Sequence, residues 1–138
     1  MSRPTVSVLS ALVMHLGFLT PASTASGMFL DLGSAIPGEA SDMDHKGAVE
    51  VLAWSWGMSN PSSARSDAGR AGFQDIQVTK YLDRASPRLM LYCASGRAID
   101  KATLFLRHAG AAPIEFLKIT LTDVLVTSVS AGGSAGAG

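Results

Sequence analysis

From Met28 onward, apolar and polar residues alternate with a period of two over most of the chain. Ile76 and Val78, for example, alternate with Gln77 and Thr79. Successive side chains of a β-strand point to opposite faces, so this period gives each strand one apolar face that can be buried against a core. The sequence therefore predicts a mainly β fold.

The pattern predicts five strands separated by turn-forming residues. They cover residues 28–32, 48–57, 73–82, 101–108 and 114–130. The last two form a hairpin across residues 109–113, and the final segment is long enough to be one bent strand or two, with a bulge or bend expected at Thr122 and Asp123. Its predicted core face carries Leu117, Ile119 and Leu121.

One helix is predicted between the third and fourth strands. Ser86 is a preferred N-cap residue, Pro87 fits the first helical position, and Gly96 is placed to end the helix at C′. A stripe at i, i+3 and i+4 is expected to dock this helix on the sheet. The stripe contains Leu89, Tyr92 and Cys93, which places the cysteine in the core.

Length and composition limit the classes of function. The chain has 138 residues, 47% of them hydrophobic, which is enough for a single domain with its own core. Eleven basic and eleven acidic residues leave no net charge, so neither nucleic acid nor an anionic membrane surface is suggested as a partner. Cys93 is the single cysteine, and an intrachain disulfide is therefore excluded.

The second predicted strand has one bulky face and one small face. Trp54 and Trp56 share the bulky face and could stack bases or sugars, but no basic stripe accompanies them, so burial in the core or at a subunit interface is favoured. Ala53, Ser55 and Gly57 form the small face. These three residues could form a close packing surface inside the domain.

Two long segments are predicted to be loops. Residues 33–47 are rich in Gly, Ser and Asp, and residues 58–72 have no apolar periodicity. Loops of such length in a compact domain are often functional. Asp42, Asp44 and His45 could in principle hold a divalent ion, but a solvated polar loop is the favoured interpretation.

The sequence does not indicate an active site. Residues 132–136 match the G-x-S-x-G pattern of a hydrolase nucleophile elbow, but that motif needs a following helix and a later histidine, and the last histidine is His108, which is expected at the surface. A small hydrolase using Ser134 is therefore the least favoured hypothesis. Neither a cofactor nor a metal site is predicted.

Five segments, in this order and spacing, resemble the haemolysin-coregulated proteins (Hcp), the tube-forming subunits of bacterial type VI secretion. They are MFLDL at residues 28–32, VLAWSWG at 51–57, VTKYLD at 78–83, ASP at 85–87 and TSVS at 127–130. Each segment alone is a weak signal, whereas their combination is specific. The resemblance covers residues 28–133 and implies a compact antiparallel β-barrel flanked by one α-helix.

The resemblance also implies a function in self-assembly. Six copies would close into a ring, and rings would stack into the inner tube, which holds small effector proteins in its lumen. Strand two would line that lumen, with Ala53, Ser55 and Gly57 as effector-contact candidates. Residues 58–72 would help rings to stack, through Asn60, Pro61, Arg65, Asp67 and Arg70. The core or interface anchors would be Trp54, Trp56 and Tyr81.

Both ends of the chain depart from the family pattern. Residues 1–27 carry Arg3, an apolar stretch and small residues up to Ala25, as a secretory signal does; alternatively they are an over-long start, because the resemblance begins at Met28. The apolar stretch is short for a membrane span. Relatives continue past Gly133 into further strands, so the domain at residues 28–138 is expected to lack the last strands and to expose a strand edge.

Two main hypotheses follow. The first is a non-enzymatic tube subunit that is made in the cytoplasm and secreted through the type VI machinery, with itself, small effectors and other machine components as partners. The second is an exported Hcp-like β-domain that acts as a periplasmic or extracellular binding module. A mature N-terminus near Ser26 would favour the second.

Overall fold

The computed structural model describes residues 5–16, 27–60, 71–108 and 114–133. These residues form nine strands and one helix. The elements are β1 (Thr5–Leu16), β2 (Met28–Asp31), β3 (Val49–Glu50), β4 (Ala53–Ser55), β5 (Met58–Ser59), β6 (Gly72–Phe73), β7 (Ile76–Lys80), α1 (Ala85–Ser95), β8 (Ile99–Arg107) and β9 (Glu115–Ala131). The prediction of a mainly β fold with one helix is confirmed.

Seven strands form one sheet in the order β3-β2-β8-β9-β1-β7-β4. Its two edge strands, β3 and β4, are separated along the chain only by residues 51–52, so the sheet curls until its edges approach each other. The Val51 N–H donates to Met28 O at one edge (2.9 Å), and the Leu52 N–H donates to Thr79 O at the other (2.8 Å). The result is a half-barrel, in agreement with the predicted barrel-like architecture.

This change of partner explains why the predicted strand at residues 48–57 is divided. β3 pairs with β2, whereas β4 pairs with β7, and a chain that moves from one sheet edge to the other cannot remain one straight strand. The predicted strand at residues 73–82 is likewise divided into β6 and β7. β5 pairs with β6 in a separate two-stranded sheet, so the loop predicted at residues 58–72 has ordered, paired ends.

The core lies on the concave side of the sheet, under the helix. Alternation along β8 buries Ala102, Leu104 and Leu106. Of the predicted core face of β9, Ile119 and Leu121 are buried and Leu117 is half-buried against the core. β8 and β9 form the predicted antiparallel hairpin. The predicted irregularity in β9 is also present, because Asp123 has φ 51° and the pairing with β1 shifts register there.

Helix α1 begins two residues earlier than the sequence suggested. The side chain that accepts a backbone hydrogen bond from the first turn is that of Asp83, not Ser86. Asp83 Oδ1 accepts from Ala85 N (3.0 Å), while Ser86 is buried inside that turn. The predicted end is correct, since Gly96 adopts the left-handed conformation at φ 68°. Leu89 and Tyr92 are buried, and Cys93 packs against the core while partly exposed, as the predicted stripe requires.

Strand β1 lies within the N-terminal segment predicted to be a signal or an extension. It pairs in parallel with β9 on one side and β7 on the other, whereas the other pairings are antiparallel. Among the described residues, no helix is both long and apolar enough to cross a membrane.

Candidate assembly surfaces

The face of the second predicted strand, residues 48–57, that carries small side chains is accessible on β4. Ala53 and Ser55 are exposed at the edge of the sheet, and Gly57 is half-buried just beyond it. A Cβ added to Gly57 would lie 2.8 Å from Gln74 Oε1, so this position favours glycine. The three residues therefore form a narrow strip of small neutral side chains that lies outside the core.

The two tryptophans are half-buried and pack against the core from the edge of the sheet. Trp56 stacks on Phe73, with ring centroids 6.3 Å apart and planes 10° apart. Phe73 is 63% exposed, and Met58, its partner across the small sheet, is 59% exposed. Trp56, Met58 and Phe73 thus form an apolar patch, called here the hairpin patch, at the base of residues 61–70.

The other predicted stacking residues are placed only in part. Asn60 is exposed at the end of the described segment, whereas Pro61, Arg65, Asp67 and Arg70 lie outside the described residues, as does Ser134. Tyr81, a predicted anchor, is half-buried, and its carbonyl accepts a hydrogen bond from Lys80 Nζ (2.7 Å).

Lys80 is a buried cation that sequence reasoning missed. Its side chain is fully buried and donates to Tyr81 O, Asp83 Oδ1 and Ser86 Oγ at 2.7, 2.7 and 2.8 Å. Because an ammonium group has three donors, all of its hydrogen-bonding capacity is used. The Ser86 hydroxyl also accepts from Asp83 N (3.0 Å). This network fixes the start of α1 against the end of β7.

The polar loop at residues 33–47 is fastened to the convex side of the sheet. His45 is buried between the rings of Phe29 and Phe105, with centroids 4.9 and 4.4 Å away, and its Nε2 lies 2.7 Å from Glu115 Oε1. The interpretation of His45 as a solvated loop residue was therefore wrong. The signal that could have located it is the aromatic and cationic outer face of β8, Phe105 and Arg107, which is unusual for a solvated strand face.

Arg107 makes the second attachment of this loop. Its Nη1 and Nη2 donate to the two oxygens of Asp42 at 3.1 and 2.6 Å, and its guanidinium lies 4.8 Å from the ring centroid of Phe29. The hydrogen bond from Arg107 lowers the pKa of the Asp42 carboxyl below its ordinary value, although burial opposes this shift. Within the described segments, no cluster of His, Cys, Asp and Glu has an arrangement that could hold a metal ion.

A groove lies at the far end of α1. Two adjoining depressions of about 320 Å³ and about 540 Å³ share Ala35, Tyr92 and Arg97 as lining residues. Leu91 adds an apolar wall that is 63% exposed. The charged residues of the remaining lining are Arg88, Asp100 and Lys101.

The family comparison covers the whole curled sheet from β2 onward. The family model described as "Type VI secretion system effector, Hcp" matches residues 29–136. This chain belongs to the Hcp family. It is 44% identical over 117 residues to Protein hcp1 of Pseudomonas aeruginosa. The aligned residues cover 81% of this chain and 72% of that protein.

Solved Hcp structures have the same fold. Hcp1 from Salmonella typhimurium matches with a TM-score of 0.70 and 39% identity, covering 82% of this chain and 74% of that one. A type VI secretion system effector from Yersinia pestis matches with a TM-score of 0.67 and 35% identity, covering 80% and 75% of the two chains. The resemblance inferred from the five sequence segments is therefore confirmed, and the protein is a type VI secretion component.

Proposed function

We propose that this Hcp-family chain is a non-catalytic structural subunit that closes into hexameric rings, and that these rings stack into the inner tube of a type VI secretion system. The observation that carries the proposal is the family match over residues 29–136. The hairpin patch supports it, because exposed aromatic and methionine side chains are enriched where protein surfaces associate. The subunit would leave the cell through the type VI machinery, together with other components of that machinery.

Native mass spectrometry of the purified chain tests ring formation. A species of six times the intact subunit mass is expected, with stacked multiples at higher protein concentration. Exclusively monomeric protein over a thousandfold range of concentration would contradict the proposal. The subunit mass in the same spectrum also reports whether the N-terminus has been cleaved near Ser26.

We propose further that the strip of Ala53, Ser55 and Gly57 faces the lumen and contacts small effector proteins. Small neutral side chains on an exposed strand support this, since they leave the wall smooth and uncharged. Ser55→Arg should leave the hexamer mass unchanged but reduce the amount of effector that co-purifies with the ring. Ser128→Arg, an equal change at an exposed position of β9, is the matched control. Equal effector recovery with both variants would show that the strip is not the contact.

A further inference from the structure

The loop at residues 38–48 presents an apolar side chain in a fixed position. Backbone hydrogen bonds close the loop, from Gly38 N to Gly47 O (2.8 Å) and from Ala40 N to Ala48 O (2.9 Å). Met43, at its tip, is 96% exposed. Its neighbour Asp42 and the nearby His45 are held at the sheet by Arg107 and Glu115, so little ordering is needed before the tip makes a contact.

The tip is also acidic. The Asp44 side chain is 75% exposed, and the nearest cation, Arg107 Nη1, lies 4.0 Å from its carboxylate while that guanidinium donates its stronger hydrogen bonds to Asp42. The Met43 tip, defined as Met43 and Asp44, is therefore an exposed thioether side chain beside an accessible negative charge. Methionine adapts its shape to irregular apolar depressions, which suits it to a docking role.

The groove beside α1 has the complementary chemistry. Its apolar walls are Leu91 and the ring of Tyr92. Two guanidinium groups are held at its rim, because Arg97 lies 5.4 Å from the centroid of the Tyr92 ring and Arg88 Nη1 donates to Ala35 O at 2.9 Å. With Lys101, three cationic residues line the groove, together with one acidic residue, Asp100. The groove thus fits an apolar side chain that carries a negative neighbour.

The tip and the groove lie at opposite ends of β8. The groove is lined by Ile99 and Lys101 at the start of this strand, whereas the loop is fastened by Arg107 at its end. Eight residue steps along a strand span roughly 26 Å, and this length separates Arg107, with the loop attached to it, from the end of the groove at Ile99 and Lys101. Two different, complementary patches on one subunit are the requirement for a head-to-tail contact between copies.

We propose that the Met43 tip of one copy docks in the α1 groove of the next, with Asp44 facing the rim formed by Arg88, Arg97 and Lys101. This inference rests on the proposed self-assembly and assigns one of its contacts. The contact lies outside residues 58–72, and the occupant of the groove is a second copy of this chain.

Disulfide trapping tests the contact. In a Cys93→Ala background, a chain carrying both Met43→Cys and Leu91→Cys should, after mild oxidation, give a ladder of dimers, trimers and larger species on a non-reducing gel. A ladder is expected because each copy has one cysteine for each neighbour. The control chain, Met43→Cys with Leu125→Cys, places its second cysteine at an exposed position of β9 outside the groove. It should stay largely monomeric, because this cysteine does not face the Met43 position of a neighbouring copy.

Charge exchange gives an independent readout. Asp44→Arg and Arg97→Asp, each alone in the trapping background, place like charges opposite each other and should lower the ladder yield about tenfold. The two substitutions together restore opposite charges and should recover the yield. If the double variant does not recover the ladder yield, the assigned pairing of Asp44 with Arg97 is contradicted, because the lower yield of each single variant then has another cause.

The oligomeric state of the same samples separates the contact from the proposed function. Hexamers by native mass spectrometry without the ladder, or an equal ladder from the control pair, would overturn the Met43 contact and leave ring formation standing. Exclusively monomeric protein would overturn both. Hexamers with a ladder specific to the Met43 and Leu91 pair would establish the contact.

Discussion

Lys80 and Arg107 each join two segments of the chain through hydrogen bonds to a carboxylate. Lys80 is fully buried and joins the end of β7 to the first turn of α1, while Arg107 joins the end of β8 to the loop at residues 33–47. Both pairings use charged hydrogen bonds, which are stronger than neutral ones and leave a costly residual charge when one partner is removed. For single residues, we therefore expect the loss of one partner of such a pair to lower the stability of the folded chain.

Lys80→Met is expected to destabilise the folded chain by about 3 kcal/mol, because it leaves the Asp83 carboxylate largely buried without its ammonium partner. Chemical denaturation with urea, with the free energy of unfolding extrapolated to water, measures the change. Lys46→Met, the same substitution at an exposed loop position, should change that free energy by less than about 0.5 kcal/mol. Equal small effects from both variants would contradict a structural role for the Lys80 network.

The Asp42 and Arg107 pair should make stability depend on pH. The pKa of Asp42 is lowered in the folded chain by the Arg107 hydrogen bond, so its contribution is fully present above the unfolded-state pKa of about 3.9 and is lost as the pH falls through the lower folded-state value. The difference in unfolding free energy between the unsubstituted chain and Asp42→Asn should therefore be constant from pH 5 to 7 and shrink below pH 4.

A second background separates this pair from other acid-sensitive groups. In Arg107→Gln, the largest cause of the lowered Asp42 pKa is removed, while the backbone hydrogen bonds from Asp44 and His45 remain. The effect of Asp42→Asn should therefore differ less between pH 3 and pH 7 than it does in the unsubstituted chain. Urea titrations at both pH values supply the four unfolding free energies of the cycle. A pH-dependent difference of undiminished size in Arg107→Gln would show that Arg107 is not its cause.

At the scale of single elements, the sequence predicted what depends on local rules and missed what depends on distant partners. The inner face of β8, the stripe of α1 and the bulge near Asp123 follow from periodicity and turn chemistry, and all are present. His45 and Glu115 are 70 positions apart, and no spacing rule connects them. The division of residues 48–57 into short strands was also missed, because it results from a change of pairing partner in the curled sheet.

The end of α1 provides a prediction about one element. Gly96 ends the helix at φ 68°, a conformation that costs a residue with a Cβ about 1 kcal/mol. Gly96→Ala should therefore lower the free energy of unfolding by about 1 kcal/mol in thermal or urea denaturation. Gly132→Ala is the matched control, since no atom lies within 4 Å of its added Cβ and it lacks a positive φ. A larger loss at Gly132 would place the strain elsewhere.

The candidate surfaces become a functional arrangement only at the scale of the whole molecule. Curling of the sheet brings β4 and its small side chains to one edge and leaves the hairpin patch beside it, while β8 separates the Met43 tip from the α1 groove. Sequence reasoning predicted the family, whereas the lumen role of Ala53, Ser55 and Gly57 and the stacking role of residues 58–72 stay predictions. It could not predict the tip and the groove, because both depend on how the loop at residues 33–47 and α1 pack against the two ends of one strand.

The hairpin patch should matter for assembly more than for folding. Phe73 is 63% exposed and contacts Trp56 mainly through one ring face, so Phe73→Ser should change the melting temperature of the subunit by only a few degrees. If the patch is covered in the ring, the same substitution removes about 2 kcal/mol of apolar burial from each subunit contact and should shift the protein from hexamer toward monomer.

Analytical ultracentrifugation at matched concentrations measures this shift, with circular dichroism reporting the fold. Phe116→Ser is the matched control, because Phe116 is another partly exposed aromatic residue with one stacked neighbour, His108, but it lies on β9 away from the patch. A hexamer that survives Phe73→Ser would exclude the patch from the ring interface. If the hairpin patch has a specific role in the ring, Phe116→Ser should leave the hexamer intact. Equal dissociation of both variants would instead indicate that the assembly is sensitive to any loss of apolar surface.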